Sequence, residues 1–140
     1  MGNLIGRYRA AAILMLGHGA IMELGVFLAL IPLFALGVDL GAVGQYFSFN
    51  VTYFQEHLAQ MMVLSGLFGI VRIVGAVGVL RNRMWGLVLA VLNCVVTIVL
   101  MVFMLPAGII DGILACSALI LLLTAYFGTK PLRGPEVSAS

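Results

Sequence analysis

Glu23 and Arg72 are full charges of opposite sign set inside long apolar runs, with His18, Ser65, Asn93 and Thr97 among the other polar groups inside the runs. A carboxylate, a guanidinium and an imidazole in a nonpolar surrounding have two uses. They can carry a proton or meet a charged solute, or they can fix one another as an ion pair that sets helix register. A second set, Glu56, His57 and Asp111, falls at the edges of apolar runs. Acid–base groups at a membrane surface would suit an interfacial enzyme acting on lipid, although nothing beyond that position recommends it. Asp111 stands in the first turn of an apolar run, where it caps a helix and reaches water.

Other chemistries lack their residues. The chain has no HExxH, GxGxxG or Walker A pattern, and no Ser/His/Asp set at one depth. Cys94 and Cys116 form neither a CxxC pair nor a metal-ligand spacing and read as reduced, buried thiols. Haem held by two histidines would need His18 and His57 at one depth, and they fall in opposite halves of the membrane. We therefore expect no metal, no cofactor and no catalytic centre.

The elements that position these residues follow from composition. Of 140 residues, 64% are hydrophobic and only 9% charged. A soluble domain carries about 25% charged residues, so most of this surface must face lipid. A spanning helix needs about 20 mostly apolar residues. Four stretches qualify, approximately 10–36, 57–80, 84–105 and 108–127. The apolar runs are continuous, with no β-barrel alternation. The fold class expected is an all-α integral membrane protein, one four-helix membrane domain over 1–128. The first apolar stretch is too long for a signal peptide and reads as a retained span.

Arg7 and Arg9 precede the first span, Arg81 and Arg83 separate the second and third, and Lys130 and Arg133 follow the fourth. Residues 37–56 and the turn at Pro106 contain no Lys or Arg. The positive-inside rule then places both termini and the 81–83 turn in the cytoplasm. Trp85 at the cytoplasmic start of the third span agrees. These basic residues are accounted for as topology signals, and nucleic acid is not an expected partner. The setting expected is a bacterial cytoplasmic membrane. Residues 129–140 read as a polar cytoplasmic tail.

The outer loop, 37–56, gathers Tyr46, Phe47, Phe49, Tyr53 and Phe54. An aromatic segment between two spans belongs in the interface as an anchor, with a lid over an external opening as the functional alternative. Asn50 to Thr52 match a glycosylation sequon, a short and common pattern.

On a helical wheel Arg72 shares its face with Ser65, Phe68, Gly69, Gly75, Ala76 and Val79, a mostly small-residue face suited to close helix contact. Arg72 therefore points inward and needs a partner. Counting about 1.5 Å per residue from the inner edge puts His18, Arg72 and Asn93 at roughly 12–13 Å and Glu23 at roughly 20 Å. The expected interior has a lower layer of His18, Arg72 and Asn93 and an upper layer of Glu23, Ser65 and Thr97. Arg72 bridges them by pairing with Glu23, while His18 and Asn93 complete its hydrogen bonds. At about 100° per residue, His18 and Glu23 lie about 140° apart and face different neighbours.

Two functions share these residues. One is a homo-oligomeric transporter or channel, with its pathway between protomers and glycine-rich contact faces, one on the Arg72 side and one through Gly66 and Gly78. The other is a non-catalytic accessory or assembly subunit of a larger membrane complex. An aqueous cavity reaching Glu23 would favour the first.

Overall fold

The computed structural model describes residues 6–128, so the expected tail at 129–140, with Lys130 and Arg133, lies outside the described residues. Four rods are long and apolar enough to cross a membrane: Gly6–Ala35, Leu58–Leu80, Met84–Phe103 and Ile109–Gly128. Their ends fall within a few residues of those expected. A lipid-embedded backbone must satisfy its N–H and C=O groups within its own segment, and uninterrupted Leu-, Val- and Ile-rich runs do so as helices. Ile13, Ile21, Ile31, Leu67, Leu92 and Ile113 are among the large apolar side chains on the outside of the bundle.

The first rod is not one α-helix. Helix α1 (Gly6–Gly17) passes into a π-helical turn (His18–Glu23) and then into α2 (Leu24–Ala35). In the outer loop, α3 (Leu40–Gly44) is capped by Asp39, which accepts from the Gly41 N–H at 2.9 Å, and α4 (Tyr53–Glu56) follows. The remaining rods are α5 (Leu58–Leu80), α6 (Met84–Phe103) and α7 (Ile109–Gly128).

Two helix ends are set by left-handed residues. Gly37 has φ 65°. There the N–H of Val38 reaches Leu33 O at 3.0 Å and that of Gly37 reaches Phe34 O at 3.1 Å. Asn82, φ 57°, plays the same part after α5, with Arg83 bonded to Gly78 O at 3.0 Å and Asn82 to Val79 O at 2.9 Å. Both are Schellman caps, which end a helix by satisfying its last carbonyls. The second explains the compact Arg-Asn-Arg turn.

The two ends of the bundle differ. At one, Asn50 donates to Val102 O at 3.0 Å and Phe49 pairs with Pro106, so the aromatic loop lies over the α6–α7 turn. At the other, Arg7 reaches Thr124 O at 3.5 Å beside the end of α7. The apolar core sits toward this second, arginine-bearing end, built from Tyr8, Ala12, Met15, Val79, Leu122 and Ala125.

Helices α5 and α6 meet through Gly78 and Gly86, where a Cβ on Gly78 would lie 2.6 Å from the Gly86 Cα. Gly66 is pressed against the Phe27 side chain. The glycine faces expected to serve contacts between copies are therefore spent on contacts within one chain.

Candidate functional site

Arg72, completely buried, stands just beyond the apolar core on α5. Its Nε donates to Glu23 Oε2 at 2.7 Å and its Nη2 to Glu23 Oε1 at 2.7 Å, a bidentate pair. Nη2 also donates to Thr97 Oγ1 at 2.6 Å, and Nη1 lies 3.1 Å from His18 Nδ1. A guanidinium has donors only, so His18 Nδ1 accepts and carries no proton. The hydrogen of that ring is therefore on Nε2, which donates to Asp111 Oδ1 at 2.9 Å. The result is a chain of polar contacts from Asp111 through His18 and Arg72 to Glu23 and Thr97.

Backbone geometry makes this chain possible. In the π turn the Leu24 N–H bonds back to Gly19 O, five positions earlier. The wider turn brings residues five apart toward one side. His18 and Glu23 both reach Arg72, which corrects the expectation that they face different neighbours. Gly19 and Gly69 let the two rods pass closely beside the arginine stem: a Cβ on Gly19 would lie 3.2 Å from Gly69 O and 3.3 Å from Arg72 Cδ. Ser65 donates to the Glu23 carbonyl at 3.2 Å, satisfying a backbone group at the end of the π turn.

The two expected layers merge into one cluster, and Thr97 takes the place foreseen for Asn93. Asn93 is buried, but its amide donates to Phe68 O at 3.3 Å and not to the Arg72 group. Its Oδ1 and the Tyr8 hydroxyl are buried without a partner among the described residues. Asp111 stands in the first turn of α7 with 34% of its side chain exposed, as expected, and in addition accepts from the His18 ring, a contact not foreseen.

Glu56 and His57 are not brought to Asp111. They line a separate open cleft with Asp39, and the His57 ring stacks on Tyr53 at 4.1 Å. The three outer-face candidates thus form no common centre. Among the described residues no three His, Cys, Asp or Glu side chains are placed to hold a metal ion, and both cysteines are free.

A cavity of about 110 Å³ opens on the loop side of the ion pair. Glu23, Ser65, Thr97 and Asp111 give it one polar wall. Met61, Met101, Met104, Leu64, Leu100 and Phe68 give the apolar wall, and Phe54 of α4 completes it from the outer loop. The order along α5 fixes its place: Met61, Leu64, Ser65 and Phe68 line it, Arg72 follows one turn further on, and Ala76 and Val79 belong to the apolar core beyond. The rest of the loop divides its aromatic residues. Tyr46, Phe47 and Tyr53 are exposed as an interfacial anchor requires, whereas Phe54 turns to the cavity.

Position along the first and fourth rods concealed the Asp111 contact. A residue at a span edge reads as solvated, and only the pairing of α1 with α7 brings it to His18. The three methionines facing the cavity carried no sequence signal beyond their hydrophobicity. Comparison with family models, curated proteins and solved structures finds no match.

Proposed function

We propose that the protein is a small membrane transporter or channel whose solute enters from the loop end and meets the Asp111–His18–Arg72–Glu23 chain. The observation that carries this reading is the cavity touching both Glu23 and Asp111 inside a single chain. Ion pairs that serve only to lock helices gain nothing from an opening at their side, and ionisable groups lining a cavity within spans mark solute or proton pathways. The glycine faces are spent within the chain, so we assign the entry site to one copy and require no pathway between protomers.

The arrangement also suggests how passage would be controlled. The apolar core closes the arginine-bearing end, so a solute at the cavity advances only if the rods shift. The π turn is the place for such a shift, because it joins α1 to α2, holds both His18 and Glu23, and is hydrogen-bonded differently from either neighbour. Single π turns inside α-helices recur at functional sites.

Purified protein in liposomes, probed for solute-driven currents and internal pH change across protons, alkali ions and small organic ions, tests the proposal. A current or pH change that is lost in Glu23→Gln supports it. No response to any of these from correctly folded protein overturns it.

The accessory reading keeps one observation. Each guanidinium nitrogen of Arg72 already has a side-chain partner on a neighbouring rod. A subunit whose buried charges only fix register would show the same closed set of bonds.

A further inference from the structure

We propose that the cavity takes a single small primary ammonium ion carrying a short apolar chain, a ligand class that rests on the transport reading above. The charge follows from counting bonds in the cluster. Arg72 is matched by Glu23 through both carboxylate oxygens. His18 is neutral, because its Nδ1 accepts from the guanidinium and its one ring hydrogen goes to Asp111. Asp111 is left as a carboxylate without a cationic partner among the described residues, on the cavity wall. One-third exposed and in the first turn of α7, this carboxylate is stable without a ligand, but its negative charge on a mostly apolar wall attracts a positive charge on whatever enters.

The wall selects the kind of cation. Met61, Met101 and Met104 offer thioether sulfurs, which are poor ligands for alkali ions or other hard cations. Phe54 and Phe68 offer aromatic rings to an organic cation. The remaining acceptors favour a head with N–H groups. Among the described residues Asp111 is bonded through Oδ1 alone, and each Glu23 oxygen accepts once from Arg72. A carboxylate oxygen has room for a further bond. A primary ammonium can donate to these oxygens, whereas a quaternary one has nothing to donate. Size sets the apolar part: an engineered cavity of about 150 Å³ admits benzene, so 110 Å³ holds a group no larger than a short branched alkyl chain.

The test is calorimetric titration of the purified full chain in detergent with isobutylammonium chloride. Parallel titrations use isobutanol, tetramethylammonium, sodium and isobutyrate. Saturable binding of isobutylammonium alone is expected. Asp111→Asn should weaken it at least about tenfold, as loss of a charged hydrogen bond does, while Asp111→Glu should restore part of it. Thermal unfolding checks that each variant is folded. If Asp111→Asn is not, Met61→Phe, which fills the cavity and spares the polar chain, should abolish binding.

Absence of binding, equal binding of isobutanol, tighter binding of tetramethylammonium, or binding indifferent to these substitutions overturns the proposal. Liposome flux separates it from the reading beneath it. Ammonium binding without flux of any solute sinks transport and leaves the ligand class standing. Flux of other solutes without ammonium binding sinks the ligand class and leaves transport standing.

Discussion

The Nε2 of His18 lies 2.9 Å from Oδ1 of Asp111, across 93 positions of sequence, while the other ring nitrogen faces Arg72 at 3.1 Å. The imidazole therefore joins α7 to the ion pair and sits with both nitrogens committed. Replacing it by an apolar ring of similar size leaves a guanidinium donor and a carboxylate oxygen without partners. Each unsatisfied buried polar group costs about 1–3 kcal/mol in water-soluble proteins, and less in membranes, where polar contacts average about 0.6 kcal/mol. His18→Phe should lower unfolding stability in mixed micelles by about 1–3 kcal/mol in all. His18→Gln, which keeps a donor and an acceptor, should lose less. Equal stability of His18→Phe and the parent would show that the contact carries no weight.

The α5–α6 seam gives a second expectation. At Gly78 a Cβ would meet the Gly86 Cα at 2.6 Å, with Trp85 ring carbons at 2.9 and 3.0 Å. Backbone faces backbone there, so no side-chain rearrangement makes room for the added group. Gly78→Val should destabilise by at least about 1–3 kcal/mol, the usual cost of overpacking. A matching change at Gly6, where a Cβ meets nothing within 4 Å, should stay within about 0.5 kcal/mol. Micelle unfolding of the two variants side by side provides the measurement, and similar losses at both sites would contradict the close seam.

Orientation is tested by labelling. The loop over 37–56 and the turn at 104–108 lie at one end of the bundle, and Arg7 lies at the other. By the positive-inside rule, the excess of arginine at that other end predicts that it faces the cytoplasm. In a background carrying Cys94→Ala and Cys116→Ala, Asp39→Cys and Ala107→Cys should react with an impermeant maleimide on intact cells. Asn82→Cys should react only after permeabilisation. The reverse pattern would invert the protein in the membrane.

Much of this architecture was legible because membrane spans are written in length and hydropathy, and those survive any detail of packing. The inward face of Arg72 was legible too, since a lipid-facing arginine near mid-membrane costs about 2.5–3.5 kcal/mol on insertion scales. The Glu23 pairing followed from charge balance. What failed was angle and depth. The wheel assumes 3.6 residues per turn, and the π turn at His18–Glu23 breaks that period without any marker beyond the glycines at 17 and 19. Depth counted along single helices placed Asn93 with Arg72, whereas the geometry gives that position to Thr97, a turn further on. The His18 contact of Asp111 was not legible because it depends on how two distant rods align.

The last prediction separates the two functions that share the ion pair. Removing one member of a buried pair leaves the other uncompensated and costs about 3–5 kcal/mol in soluble proteins, while replacing both with apolar or neutral groups is often close to neutral. The membrane values should be smaller, because the chain unfolded in the membrane also finds partners. Arg72→Met strands the Glu23 carboxylate in the bundle, and Glu23→Gln strands a guanidinium held only by Thr97 and His18. Each single variant should lose about 1–4 kcal/mol of micelle stability, and the double variant should recover more than half of that loss. Additive losses in the double variant would mean that the two charges do not support each other in the membrane. If the double variant is stable and the liposome response is gone, the pair serves the pathway at the cavity. If the double variant is stable and the response persists, the pair is a register lock, and the polar wall at Asp111 alone would have to carry the solute.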